Sequence, residues 1–593
     1  MSYFIGPRCS ACHYCFNECP VGAIRFAGTS YEIDEFTCIS CGKCAEVCPS
    51  GIIYDPEHPE TVPAHAPVEK NCDLVVLGAG GSGLVAAVRA AQLSGKKVIV
   101  VEKAKKIGGN TNLGHGFMMR YTKWHEAAGL EDTREESINS LYERSGRVLD
   151  YQLLHNATYA LSDMFDWLCT FGGVEDKFVL KKMGPGGPHA APAEDAKDDK
   201  KGKAEDDKQP QGGGMPFAGP IGAMIDFPVR TKNTKCTDTS MGPGWMGTYV
   251  VEKMSEVGQN QFGVEILTNT AAKKLLTNSD GSFSGVVCED GGGKVTIHAK
   301  ACVIATGGFA HNDEIIQKTN PAFFHGQPVK RLSVASSTGD GMTLVQGIGG
   351  AIDLERVRVP AGGPVHHPWN YTVFTLAGHG NPMVDVNGNL YEAQGGGPGQ
   401  AGGPLDTLEG SIIYQILDAD AVDRGGQEGI QRCTDPNAMD ERKNYWEAMN
   451  KEAMNGWPAR KAWTLEGLAE KIGCVPAVLE ASIDKYNAQV AAEGDAPPAP
   501  GPFGPVKRYP VAKAPFYAIT CGRFSESASG GIVTDTDLTV LKTDGNKIPG
   551  LYAVGDSCRG LFLKDDSGGK FGEMPWAMAS GFMAGKLAAD YIL

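Results

Sequence analysis

Eight cysteines near the start of the chain fall into two matching runs, Cys9-x2-Cys12-x2-Cys15-x3-Cys19-Pro20 and Cys38-x2-Cys41-x2-Cys44-x3-Cys48-Pro49. The short spacings wrap three thiolates round one face of a cube, and the proline turns the chain away. Zinc sites take four ligands, usually as two pairs, and do not repeat a three-plus-one set ended by proline. Paired [4Fe–4S] clusters do, with the fourth cysteine of each run ligating the other cluster. On that logic Cys9, Cys12, Cys15 and Cys48 hold one cluster, and Cys38, Cys41, Cys44 and Cys19 hold the second. The first residues, Met1 to Arg8, lack the basic and apolar regions of a signal peptide. With 17 cysteines and no export signal, metal ligation and free thiols are expected instead of disulfides, and the expected location is the cytoplasm.

Over about residues 1–57 the chain resembles the two-cluster bacterial ferredoxins. Residues 58–71, punctuated by Pro59, Pro63 and Pro67, read as a linker. The remaining cysteines form no C-x-x-C pair and are expected in the core, which argues against a dithiol redox enzyme.

After the linker, Cys72 to Leu77 is a short apolar run of the kind that forms a buried parallel strand. It leads into Gly78-Ala79-Gly80-Gly81-Ser82-Gly83 and a helical stretch. A second apolar strand then ends on Glu102. A G-x-G-x-x-G alone is a weak signal, but between strand and helix, with an acid about 20 residues on, it marks a dinucleotide site. The glycines admit pyrophosphate to the helix N-terminus, and the acid accepts from ribose hydroxyls. No second such fingerprint stands in strand–helix context, since Gly347-Ile348-Gly349-Gly350 lacks the third glycine. A built-in NAD(P)H site is therefore not expected.

The segment Glu102 to Asn112, with Gly108-Gly109-Asn110-Thr111, resembles the glycine-rich stretch of the fumarate reductase and succinate dehydrogenase flavoprotein family. Ala301 to Phe309, Ser337-Thr338-Gly339-Asp340-Gly341 and Ile548 to Asp556 resemble further motifs of that family, in its order. The resemblance implies FAD lined by Gly78, Gly80, Gly83, Glu102, Gly109, Asn110, Thr111, Gly307, Asp340, Gly555 and Asp556, with Met578 nearby. It also implies a mixed α/β and α+β chain: a small ferredoxin-like domain, then a Rossmann-like FAD-binding domain interrupted by a capping domain. The expected parts are FAD-binding residues 72–354, a cap over 355–515 and a returning FAD-binding segment over 516–593. A charged, apolar-poor insert at about 184–214 reads as a surface loop.

In this family the substrate lies between cap and flavin, held by histidine and arginine, with an arginine as proton donor. This chain departs from that pattern. Gln394 to Gln400 contains no arginine, Ser527-Ala528-Ser529-Gly530-Gly531 stands where the family has His-Thr-x-Gly-Gly, and Ser567 to Glu573 lacks the last arginine. A fumarate-type dicarboxylate is thus disfavoured, and the tyrosine of the 3-ketosteroid dehydrogenase relatives is missing too. Ser527, Lys570 and Glu573 stand at the family's active-site edge as candidates for the proton chemistry. His367, beside His366 and Tyr371, is a second group.

A net charge of −15 argues against a nucleic-acid partner and for a carrier with a basic patch. No apolar run reaches the length needed to span a bilayer. The expected activity is reduction of an activated C=C bond in a small molecule. A ferredoxin- or flavodoxin-like carrier would supply the electrons singly through the clusters to FAD. The reverse dehydrogenation uses the same parts. An electron-transfer subunit of a larger redox complex, without an organic substrate, is the alternative from a different class. A homo-oligomer is a further expectation.

Overall fold

A computed structural model describes the chain outside residues 1, 11, 13, 28–29, 59–62, 115–120, 128, 175–178, 183–222, 227–245, 325–329, 332, 358–380, 392–411, 425–458, 495–498, 502–503, 523, 526–527 and 563–570. The charged insert lies outside the described residues.

Four-residue apolar runs need a place with no water on either face. Three strands find it: β1 (Leu74–Leu77), β2 (Val98–Val101) and a later strand, Ala301–Ile304, are each buried at all four positions. They belong to one sheet with β3 (Glu265–Leu267), the Ala301–Ile304 strand as β4, β5 (Thr539–Leu541) and β6 (Lys547–Ala553). Its spatial order is β3-β2-β1-β4-β6-β5, parallel except for the β5–β6 edge. Helix α1 (Gly81–Ser94) connects β1 to β2 on one side, while β4 pairs with β1 on the other. The strand order therefore reverses at β1, and ligands of open parallel sheets bind outside the carboxyl ends at such a point.

The last helix, Glu573–Ile592, packs on α1. A side chain at Gly581 would bring its Cβ within 2.3 Å of the Ser82 carbonyl oxygen, so glycine alone permits this approach. The contact ties the chain's end to the glycine-rich turn near its start.

A second sheet joins Ala271–Thr277, Phe283–Glu289, Lys294–His298 and Val68–Asn71. The end of the expected linker is thus an edge strand, parallel to Lys294–His298. His65 adds a ring bond to Asp290 at 2.9 Å.

Residues 4–54 repeat one pattern. Helices Tyr14–Glu18 and Lys43–Val47 follow the first cysteines of each run. Strands Phe4–Ile5 and Ile53–Tyr54 pair, as do Ile24–Phe26 and Tyr31–Ile33. Phe16, Ile24, Tyr31 and Ile53 pack with the cysteines into a core of their own.

Within the expected cap, strands Met383–Asp385, Leu390–Tyr391, Ile412–Leu417 and Ala459–Ala462 form a sheet with Phe516–Gly522. The last strand pairs antiparallel with Ile412–Leu417 and Ala459–Ala462, so the sheet runs seven residues past 515. Helices Leu465–Ile472 and Pro476–Glu493 cover it, and its apolar cores are separate from that of the β1–β6 sheet. Among the described residues no helix is long and apolar enough to cross a membrane.

Candidate functional site

A cleft open to solvent lies at the carboxyl ends of β1, β2 and β4. Nine of the twelve residues expected at FAD line it: Gly78, Gly80, Glu102, Gly109, Asn110, Thr111, Gly307, Asp340 and Asp556. The other three stand behind the wall. Gly83 packs under Gly78, the Gly555 N–H donates to Ser580 Oγ at 3.0 Å, and the fully buried Met578 reaches Gly81.

The wall is polar where a nucleotide needs it to be. Glu102 is buried, and its carboxylate accepts from the Ala79 N–H at 2.9 Å and the Ala104 N–H at 2.8 Å. Burial pushes its pKa up, while the two amides pull it down. Lys103 bonds Thr338 Oγ1 at 2.5 Å and Asp340 Oδ2 at 2.7 Å, which fixes Asp340 at the start of its helix. Gly307 has φ +73°, and a Cβ there would meet no protein atom within 4 Å although the residue lines the cavity. A side chain would project into the space a ligand takes. Lys103, Thr270, Ala272 and Val334 also line the cavity and were not expected. Lys103 adjoins a recognised acid, whereas Thr270, Ala272 and Val334 come from segments without a local motif.

The structure brings the thiols of the first expected set to one cavity. Cys9, Cys12, Cys15 and Cys48 line a second cavity together with Ile5, Tyr31, Ile52 and Ile53. Among the described residues no three His, Cys, Asp or Glu side chains gather as one metal ion requires. Four thiols lining one cavity are the donor set that a cube of iron and sulfide takes. In the second set Cys44 is buried and Cys41 exposed. Amide N–H groups of Ala23 and Ser40 donate to the sulfurs of Cys19 at 3.2 Å and Cys38 at 3.4 Å. Such bonds to sulfur tune a cluster's potential.

The two cavities share a wall. Cys12 and Tyr14 are buried with Leu113 and Val334 in one apolar cluster, and Val334 also lines the nucleotide cavity. Polar ties hold this wall in place. Asn110 Oδ1 accepts from the Val334 N–H at 2.9 Å, and Ser50 Oγ accepts from the Ala335 N–H at 3.2 Å. Lys106 donates to the carbonyls of Ala45, at 3.3 Å, and Glu46, at the end of helix Lys43–Val47. A cation there also suits the helix dipole.

His311 anchors the same loop. Its Nε2–H donates to the Ser333 carbonyl at 2.9 Å, and its backbone N–H donates to the Ser337 carbonyl at 2.8 Å. Burial pushes its pKa from 6.5 down to about 4. The unfolded chain therefore binds the extra proton between those values and the folded chain does not. Stability is full above pH 6.5 and falls as pH drops toward 4, by about 2–3 kcal/mol from this group. His311→Gln should flatten that limb, so urea unfolding at pH 7 and pH 4.5 should show a smaller difference than in the parent protein.

Of the proton-transfer candidates, Ser527, Lys570 and His367 lie outside the described residues, as do His366 and Tyr371. Glu573 is half-buried in the first turn of the last helix, where a carboxylate complements the positive end of the dipole.

The family described as FAD binding domain matches residues 73–562, and that described as 4Fe-4S dicluster domain matches residues 8–52. The chain is 24% identical over 512 residues to NADH:fumarate oxidoreductase of Klebsiella pneumoniae, covering 84% of this chain. It spans about half of that protein's length, 46%. It is also 24% identical over 624 residues to a probable fumarate reductase, Ifc3, of Shewanella frigidimarina, covering 98% of this chain and 89% of that protein. The open conformation of a flavocytochrome c3 fumarate reductase has the same fold: TM-score 0.62, 22% identity, 88% of this chain and 79% of that one.

Proposed function

We propose, because this chain belongs to the FAD binding domain family and carries a 4Fe–4S domain before it, that it reduces an activated C=C bond. The substrate class is an enoate, enone or enoyl thioester. The observation that carries this reading is the shared wall: Val334 faces the nucleotide cavity and packs against Cys12 of the thiol cavity. Two clusters at the two thiol sets would supply single electrons, and FAD in the larger cavity would combine them into a two-electron hydride donor.

The chain's own residues divide the work. Glu102 orients toward a ribose, Lys103 and Asp340 fix the loop beside it, and α1 presents its N-terminus to phosphate. The capping segment, which we bound at Gly522 from its strand pairing, closes over the substrate. Ser527, Lys570, Glu573 and His367 are the proposed sources of the proton delivered beside the reduced carbon. The relatives named for fumarate support C=C chemistry. The arginine-free stretch Gln394 to Gln400 argues against a dicarboxylate as this chain's own substrate. We place the protein in the cytoplasm with a soluble carrier as partner, the compartment where cysteine-rich chains use thiols for metal ligation.

The test is anaerobic reduction with dithionite, removal of the excess, and addition of enoates, enones and enoyl thioesters. One of these classes should reoxidise the flavin and yield the saturated product. If none does and only a purified partner protein takes the electrons, the chain is an electron-transfer subunit instead.

A further inference from the structure

The two thiol sets differ in how they are covered. Cys12 and Tyr14 of the first set are 8% and 3% exposed, covered by Leu113 and Val334 of the flavin domain. Close in sequence to cysteines of the second set, three apolar side chains are left in water. Phe36 is 91% exposed, Ile39 60% and Val21 39%, and Cys41 itself is exposed. These residues belong to the chain segments that carry Cys19, Cys38 and Cys41.

Phe36 is not left outside by a loose loop. The Asp34 carboxylate accepts from the Phe36 N–H at 3.3 Å and from Thr37 Oγ1 at 2.6 Å. The Cys38 N–H donates to the Asp34 carbonyl at 3.0 Å, and the Asp34 N–H to the Ala23 carbonyl at 2.7 Å. The last bond joins the segment of Val21 to that of Phe36. The turn therefore holds Phe36 in water by its own hydrogen bonds.

The charges of this domain are mostly acidic. Over residues 1–57 Glu18, Glu32, Asp34, Glu35, Glu46, Asp55 and Glu57 stand against Arg8, Arg25 and Lys43, and Arg25 is engaged by Glu32 at 3.6 Å. Glu32, Asp34 and Glu35 lie in the segment that carries Phe36. Acidic groups beside exposed apolar ones recruit a partner of opposite charge and speed the encounter.

We propose that Val21, Phe36 and Ile39 form the docking face for a one-electron carrier protein whose apolar redox edge is ringed by basic side chains. The second thiol set is then the outer station and the first set the inner one. This rests on the reading above that both sets hold clusters. The transfer moves one electron between two proteins, makes or breaks no covalent bond, and leaves the carrier oxidised or reduced by one unit.

The experiment uses cytochrome c, a basic one-electron carrier, as the probe. Dithionite-reduced protein is freed of reductant and mixed with oxidised cytochrome c in an anaerobic stopped-flow instrument at low salt. The Phe36→Ser/Ile39→Ser double variant should lose at least about tenfold in the second-order rate constant. Its flavin content and the electron paramagnetic resonance signals of both clusters should match the parent. Phe4→Ser removes a 53% exposed aromatic from the strand paired with Ile53–Tyr54 and should react like the parent. Added salt should slow the parent reaction.

Three results overturn the docking face. One is an unchanged rate in the double variant. The second is faster reaction at low salt with an acidic plant-type ferredoxin than with cytochrome c. The third is a parent dimer in sedimentation that the double variant abolishes, since a second copy would then cover the face. Absence of both cluster signals in the parent would sink the underlying reading instead, so the two failures are distinct.

Discussion

Gly78→Ala should purify without flavin while keeping its iron–sulfur absorbance. Gly78 ends β1 with φ +107°, a conformation that costs an L-residue about 1–3 kcal/mol. Its new Cβ would lie 2.3 Å from the Ala305 carbonyl oxygen and 2.8 Å from the carbon. Both belong to the backbone just after β4 and cannot swing aside. Relief requires β1 and β4 to part at the carboxyl end, where Gly78 and Ala305 form one edge of the nucleotide cavity. Overpacking adds a further ~1–3 kcal/mol. The ratio of acid-released flavin to protein should fall below about one-tenth of the parent's, and full stoichiometry would refute the assignment. Gly95→Ala is the matched control. Its φ is +65°, but a Cβ there meets nothing within 4 Å, so it should cost about 1 kcal/mol and keep the flavin.

The second large effect is expected at the opposite side of the shared wall. Cys12→Ala should lower turnover with a one-electron donor by at least about 100-fold while FAD stays bound. The thiol is buried against Leu113 and Val334, and it belongs to the set of four that lines the inner cavity. Removing it should abolish one cluster signal and leave the other. The nucleotide cavity, made by residues of the β1–β6 sheet and its loops, keeps all its own groups. Turnover equal to the parent's would mean that electrons reach the flavin by another way.

How much of this was legible beforehand depended on the range of the interactions. The paired cysteine runs and the β1–α1–β2 unit are local, since the residues that build each lie within a few dozen positions. Both were readable, and the α/β flavoprotein fold with its ferredoxin-like start is as expected. The sheet to which the strand after residue 515 belongs was not readable. Phe516–Gly522 looks like any apolar strand, and only pairing with Ile412–Leu417 and Ala459–Ala462 assigns it to that sheet. Val334 was missed for the same reason. A valine in Ser333-Val334-Ala335 carries no local mark, and its place in the wall comes from Asn110, far away in sequence. The proton donor was legible only as departures from a family pattern. A loss of arginine says what a site does not bind more readily than what it does.

The wall around Val334 also limits how this protein can diversify. On the proposed reading electrons cross here, and tunnelling falls off exponentially with distance, so the cluster of Cys12, Tyr14, Leu113 and Val334 leaves little room for drift. The bonds from Lys106, Ser50 and Asn110 hold that gap shut from both modules. The cap can be remodelled for a new substrate, and the outer rim for a new carrier, without touching it. On the proposed reading the junction is the fixed part, and its two ends are free to change.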